Sequence, residues 1–161
     1  MPIPPFITAL RDQVGHDLLW LPGVTAVVLD AADRVLMVRR ADTGWWALVS
    51  GILEPGEEPA VGLVREIAEE TAVEAEAVAL TSVRAGAPVT HANGDLAQYL
   101  DLTFLCRYVA GEARVGDDES LEVGWFPLDA LPEPLTATSR ERLRWALEYR
   151  ADPSAGPAFV R

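Results

Sequence analysis

The 161-residue chain has a single cysteine, Cys106, and two histidines, His16 and His91. One thiol excludes an intrachain disulfide framework, and one cysteine with two histidines leaves too few soft ligands for a structural zinc site. Basic residues are scarce. There are 13 Lys and Arg against 25 Asp and Glu, a formal charge of -12. Nucleic acids and anionic membrane surfaces, which need a basic footprint, are therefore not expected partners. A long apolar run is also missing: "LLWLPGVTAVVL" is broken by Pro22 and Gly23 and is too short to span a bilayer. The opening "MPIPPFITALRDQ" has no basic n-region and no cleavage-type h-region, so the expected location is cytoplasmic. Repeats and low-complexity linkers are absent. What remains is half apolar and holds five Trp, enough for one domain with a real core.

Along the chain, "ITALRDQVGHDLLW" has helical spacing and suggests an N-terminal helical extension over residues 1–20. "VTAVVLDAADRVLMVRR" reads as two strands around a turn at Asp30 to Asp33. "ADTGWWALVSG" is a turn and a short buried run. A helix is expected from Glu58 to Thr71 and a strand over "VEAEAVALTSVRA". "THANGDLAQYLDLTFLCRYV" carries Asn93-Gly94, a two-residue hairpin signal, before a long alternating strand. "LEVGWFPL" is a further strand. "TSRERLRWALEY" is an amphipathic helix with Leu143, Ala146 and Leu147 on one face, and the Pro, Gly and Ala of residues 151–161 suggest a frayed tail. Hairpins among interleaved helices and strands predict a mixed sheet covered by helices.

The densest chemistry lies in "GILEPGEEPAVGLVREIAEETAV". On a helical wheel Ala60, Leu63, Val64, Ile67 and Ala68 gather on one side, while Glu66, Glu69 and Glu70 gather on the other. Like charges at this spacing repel, and a hard divalent cation is the natural compensation for an oxygen-only cluster. A merely solvated acidic face has the same spacing. Arg65 can pair with Glu69 or reach back to Glu57.

Read in full, the stretch is Gly51, five residues, Glu57, seven residues, then Arg65-Glu66-Ile67-Ala68-Glu69-Glu70-Thr71-Ala72-Val73. It closely resembles the signature of the Nudix hydrolases. "RVLMVRR", "WWALVSG", "NGDLAQYLDLTF" and "EVGWFPLDALP" resemble that superfamily's flanking segments in the same order. The departure is Ala72, where the family has glycine to end the helix in the left-handed conformation.

The resemblance implies an α/β/α sandwich with a mixed β-sheet. It implies a hydrolase of nucleoside diphosphates linked to another moiety X, with Mg2+ or alternatively Mn2+ as cofactor. It assigns Glu66, Glu69, Glu70 and the Gly51 carbonyl to the metal, and Glu57 and Arg65 to support behind them. Arg40, Arg39 and Trp45 are the candidates for substrate binding, with one of Trp45 and Trp46 expected in the core. The catalytic base is expected to be Glu70 or Glu119, the latter on the acidic loop "GDDES", read as a mobile loop able to close over substrate. A homodimer is a further expectation, with Trp20 on the N-terminal helix as a contact. Rival readings are a catalytically inactive Nudix-fold binding module, an RNA-cap hydrolase, and a plain acidic-faced structural domain. The identity of X is not encoded in the box.

Overall fold

The structure is a computed structural model and describes residues 4–160. In chain order the elements are α1 (Pro5–Val14), β1 (Leu19–Leu29), β2 (Arg34–Arg40), β3 (Trp46–Ala47), β4 (Val49–Ile52), α2 (Pro59–Thr71) and β5 (Val73–Ala85). Then follow β6 (Val89–Thr90), β7 (Leu96–Gly111), β8 (Ser120–Pro127), α3 (Ala137–Ala151), a 3-10 turn (Pro153–Ala155) and β9 (Ala158–Phe159). The main sheet path is β3-β2-β1-β7-β5-β9, with β4 also on β1, β6 on β7 and β8 on β2. β1 runs parallel to β7, in register from Leu19↔Ala97 to Leu29↔Arg107, and β9 runs parallel to β5. The other pairings are antiparallel, so the sheet is mixed, as expected.

Strand β1 explains why "VTAVVL" is apolar at every position but Thr25. A strand covered on both faces has no side for water. Val24, Ala26 and Val28 join Leu63 and Ile67 of α2 in one core, while Val27 and Leu29 join Leu143 and Ala146 of α3 in the other. The two helices sandwich the sheet. α1 covers a smaller cluster through Ile7, Leu21 and Ala97. Cys106 is buried in the α2 core, and burial pushes its thiol up to about 12. Among the described residues no helix is long and apolar enough to cross a membrane.

Three expectations need correction. The N-terminal helix does not reach residue 20; residues 1–3 lie outside the described residues, and α1 stops at Val14. Gly15 breaks it with φ 60, and Arg11 donates from Nη1 to the Gly15 carbonyl and from Nη2 to the Leu96 carbonyl, drawing the chain into the sheet. Leu19 and Trp20 therefore open β1, and the exposed Trp20 ring stands on a strand, not a helix. The tail is not frayed over its described length. The Asp152 side chain accepts from Ser154 N–H, and Ala158–Phe159 takes up the free edge of β5. Asn93-Gly94 does mark a hairpin, but Thr90↔Leu96 pairing leaves a five-residue loop, His91 to Asp95, with Gly94 at φ 89. His91 sits there against Tyr99, Nε2 to hydroxyl 3.2 Å.

Helix α2 ends where the glycine-to-alanine departure implies. Ala72 has φ 55 and ψ 21, and its N–H donates to the Ala68 carbonyl. A left-handed non-glycine residue costs about 1 kcal/mol. Ala72→Gly is expected to raise stability by up to about 1 kcal/mol, partly offset by the greater freedom of glycine in the unfolded chain. Denaturant titration measures it, and a loss of stability would contradict the assignment.

Candidate active site

Pro59 opens α2 after the extended Glu58, a residue type suited to the first helical turn. The preceding loop folds back on the helix because Gly62 has no side chain. A Cβ there would sit 2.6 Å from Leu53 Cδ2 and 2.7 Å from Glu57 Oε2. Arg65 grips Glu57 with two parallel bonds, Nε to Oε1 at 2.9 Å and Nη2 to Oε2 at 3.0 Å. Its Nη1 reaches Glu66 Oε1 at 3.0 Å and Glu69 Oε2 at 3.1 Å. One guanidinium thus ties the loop to two of the helix carboxylates, and both expected Arg65 pairings occur together. The bond from Arg65 holds the Glu57 carboxyl below its usual range.

The rotation of α2 differs from the simple wheel. Its buried residues are Gly62, Leu63, Glu66, Ile67, Glu70 and Thr71, while Ala60 and Ala68 are exposed. Glu66 and Glu70 face inward and Glu69 faces water. The reason lies in β4: a Cβ at Gly51 would overlap the Glu66 carboxylate, so the glycine leaves a slot that the glutamate fills. Glu66 Oε2 is buried there with no hydrogen-bond partner. Burial raises the Glu66 carboxyl to about 7, with the charges of Glu69 and Glu119 adding and Arg65 opposing. Burial likewise raises Glu70 to about 8, helped by Glu66, Asp117 and Glu119 and opposed by Arg40.

These groups suit a hard cation by chemistry: buried carboxylate oxygens, one of them unpartnered. They do not yet enclose one. Among the described residues no three acidic, histidine or cysteine side chains surround a common point. The Glu69 carboxylate is instead turned to Arg65, whose guanidinium supplies the nearest positive charge.

The remaining predicted residues divide. A bulge between Arg39 and Arg40 interrupts the β2–β8 ladder, and such bulges re-aim side chains. Arg39 binds Glu122 at 2.7 Å and the Gly44 carbonyl at 3.0 Å. Arg40 forks onto Asp42 through Nε at 2.9 Å and Nη2 at 2.6 Å, and its charge acts on Glu70 and Glu119. Trp46 is in the core, edge-on to Phe126 with centroids 4.8 Å apart. Trp45 is 46% exposed and lines a shallow groove with Arg40, Thr43, Thr136, Ala137 and Thr138. Glu119 stands at the foot of β8, where its carbonyl accepts the Ala41 N–H at 2.7 Å.

With this geometry in place, comparison with known proteins is decisive. The sequence profile of the NUDIX domain matches residues 19–146. The chain belongs to the Nudix family. An 8-oxo-dGDP phosphatase of Mus musculus is 36% identical over 140 residues, covering 83% of this chain and 39% of that protein. A MutT-like protein of Streptomyces ambofaciens is 35% identical over 134 residues, covering 83% of this chain and 78% of its own. An NAD-capped RNA hydrolase of Pseudomonas fluorescens is 31% identical over 124 residues, covering 76% and 41%. The chain thus spans about two fifths of the phosphatase. Among solved structures, a MutT Nudix hydrolase from Burkholderia pseudomallei superposes with a TM-score of 0.65 and 30% identity, over 79% of this chain and 98% of that one.

Several residues around the Trp45 groove and the acidic segment had no signal in the sequence. Thr136, Ala137 and Thr138 reach the groove because Trp46 N–H donates to the Pro134 carbonyl and Thr136 N–H to the Trp46 carbonyl. Ser139 Oγ, accepting Leu48 N–H at 3.0 Å, anchors the start of α3. Such long-range pairings have no local pattern to read. Asp117 was visible only as one member of an acidic run.

The raised carboxyls set a pH dependence. Glu66 and Glu70 bind protons more tightly folded, at about 7 and about 8, than at the ordinary 4.5. Their protonated burial therefore favours the folded state fully below about 4.5, and this advantage is lost as pH rises through 8. In EDTA, the urea midpoint is expected to fall between pH 5.5 and 8.5, and Glu70→Gln should flatten the fall. An unchanged midpoint across that window would count against the burial of both carboxylates.

Proposed function

We propose that this Nudix protein is a cytoplasmic hydrolase that cleaves the diphosphate of a nucleoside diphosphate joined to a further group, with Mg2+ or Mn2+ as cofactor. The observation that carries the reading is the buried pair Glu66 and Glu70, with one Glu66 oxygen unpartnered. Two carboxylates held out of water are costly unless a cation or a proton offsets them. Glu66, Glu69, Glu70 and the Gly51 carbonyl would hold the ion. A bound divalent cation neutralises phosphate oxygens and lowers the pKa of water.

The chain's own groups do the rest. Glu57 and Arg65 keep the loop and the helix in fixed relation. Arg40 offers a planar fork that fits a phosphate as well as it fits Asp42. Arg39, paired with Glu122, adds positive charge beside it. The exposed face of Trp45, next to the Thr136–Thr138 wall, suits a base or ribose. Glu119 takes the proton from the attacking water, since carboxylates committed to a cation are poor acceptors; Glu70 is the competing base. The relatives named for 8-oxo-dGDP and for NAD-capped RNA share a nucleoside carrying a diphosphate. With 25 acidic against 13 basic residues, a free nucleotide fits this chain better than an RNA strand, and nothing here calls for a membrane.

A panel of nucleotide diphosphates and triphosphates incubated with Mg2+, with products identified by mass, tests the activity and names the substrate. Glu70→Gln is expected to cut turnover at least about a hundredfold while the fold survives. Wild-type activity of that variant in excess EDTA would end the metal reading. Glu119→Gln should lower turnover sharply even at saturating metal, with a divalent ion still required, and wild-type turnover would put the base on α2.

A further inference from the structure

The segment between β7 and β8 is not a free flap. Its backbone is built onto the last turn of α2. Arg114 N–H donates to the Thr71 carbonyl at 3.0 Å, and Gly116 N–H donates to the Glu70 carbonyl at 3.0 Å. Those oxygens belong to the helix end, where carbonyls lack partners within the helix. Gly116 lies so close that a Cβ there would overlap the Glu69 carbonyl oxygen and approach the Glu70 carbonyl carbon to 3.1 Å. Both obstacles are backbone atoms, so no rotamer change relieves them. Gly116 has no positive φ, and its lack of a side chain serves space, not conformation.

Three residues later the chain is fixed again. The Glu119 carbonyl accepts Ala41 N–H at 2.7 Å, and Ser120 pairs with Arg40. Asp117 Oδ1 accepts the Glu119 N–H at 3.0 Å and braces the turn between. Asp117, Asp118 and Glu119 therefore form a bridge pinned at both ends, from Glu70 on the helix to Arg40 on the strand. The charges of Asp117 and Glu119 both act on Glu70, and that of Glu119 acts on Glu66 as well. In this conformation the acidic segment is docked at both ends.

We propose that Gly116 is a positioning residue: its bare backbone lets the segment dock on the end of α2, and that docking holds Glu119 between the helix end at Glu70 and the strand end at Arg40. The inference rests on the metal-dependent reading above. Any side chain at residue 116 lifts the bridge from the helix and displaces Glu119 from its place beside the end of α2, leaving Glu57, Arg65 and Gly51 untouched.

The test is a calorimetric titration of the full chain with MnCl2 alone, without substrate, on wild type, Gly116→Ala, Glu119→Gln and the double variant. Groups that orient metal ligands are worth roughly tenfold to a hundredfold in affinity. Gly116→Ala is expected to weaken Mn2+ binding about tenfold or more. In the Glu119→Gln background it should change affinity less than about twofold, because the group it positions is already gone. A purely structural defect would cost the same factor in both backgrounds, and that result overturns the proposal. So does wild-type affinity in a Gly116→Ala protein that unfolds cooperatively. If that variant does not fold, a single glycine inserted after Asp118 lengthens the bridge without touching α2; the same loss is expected, and wild-type affinity overturns the proposal. Absence of Mn2+ binding by the wild type would defeat the functional reading itself, a distinct outcome from equal binding by wild type and variant.

Discussion

The rest of the site depends on two glutamates lying under a helix. Glu66 fills the slot left by Gly51, and Glu70 lies on the same inner side one turn on. Neither is neutralised there by an ion pair that satisfies both of its oxygens. That burial fixes the rotation of α2, and the rotation decides what else must be small or charged nearby. Gly62 clears the incoming loop, and Arg65 ties Glu57 to Glu66 and Glu69 from the solvent side. A helix with an ordinary apolar inner face would need none of these.

The same constraint organises the surroundings. The sheet supplies the second wall through β4, carrying Gly51 antiparallel to β1. β1 in turn is held by β7 along its whole length. The bulge at the end of β2 falls at Arg40, whose charge acts on Glu70 and Glu119, and the start of α3, drawn in by Trp46 and Leu48, closes the far side of the Trp45 groove. Positive charge is sparse in this chain, so Arg40 and Arg65 carry most of the local field against an otherwise acidic background. Each has acidic partners already, which keeps the guanidinium planes oriented.

Much of this was legible beforehand where the pattern is local. The spacing from Gly51 to Glu70 identified the loop and helix, the Arg65 pairings followed from helical neighbours, and Ala72 marked the left-handed end. Burial of one tryptophan and exposure of the other was also expected, although the order Trp46 in, Trp45 out needed the sheet. The helix wheel failed for a physical reason. Hydropathy places Ala60 and Ala68 inside and the acids outside, whereas Glu66 and Glu70 are buried and the two alanines are exposed. The docking of Gly116 and the groove wall at Thr136–Thr138 depend on contacts between segments far apart in the chain, and no local residue pattern reports them. The early end of α1 and the pairing of the tail failed for the same reason.

The parallel register of β1 with β7 has a consequence for how the molecule assembles. Leu19 to Leu29 find their partners only at Ala97 to Arg107, so the central pairing closes a long loop before its contacts are rewarded. Until then the apolar run of β1 has only the short β2 and β4 ladders beside it. During synthesis that strand waits, uncovered on one edge, for the chain to extend past residue 107. The local pairing of β5 with β7 can form first and offer it a template.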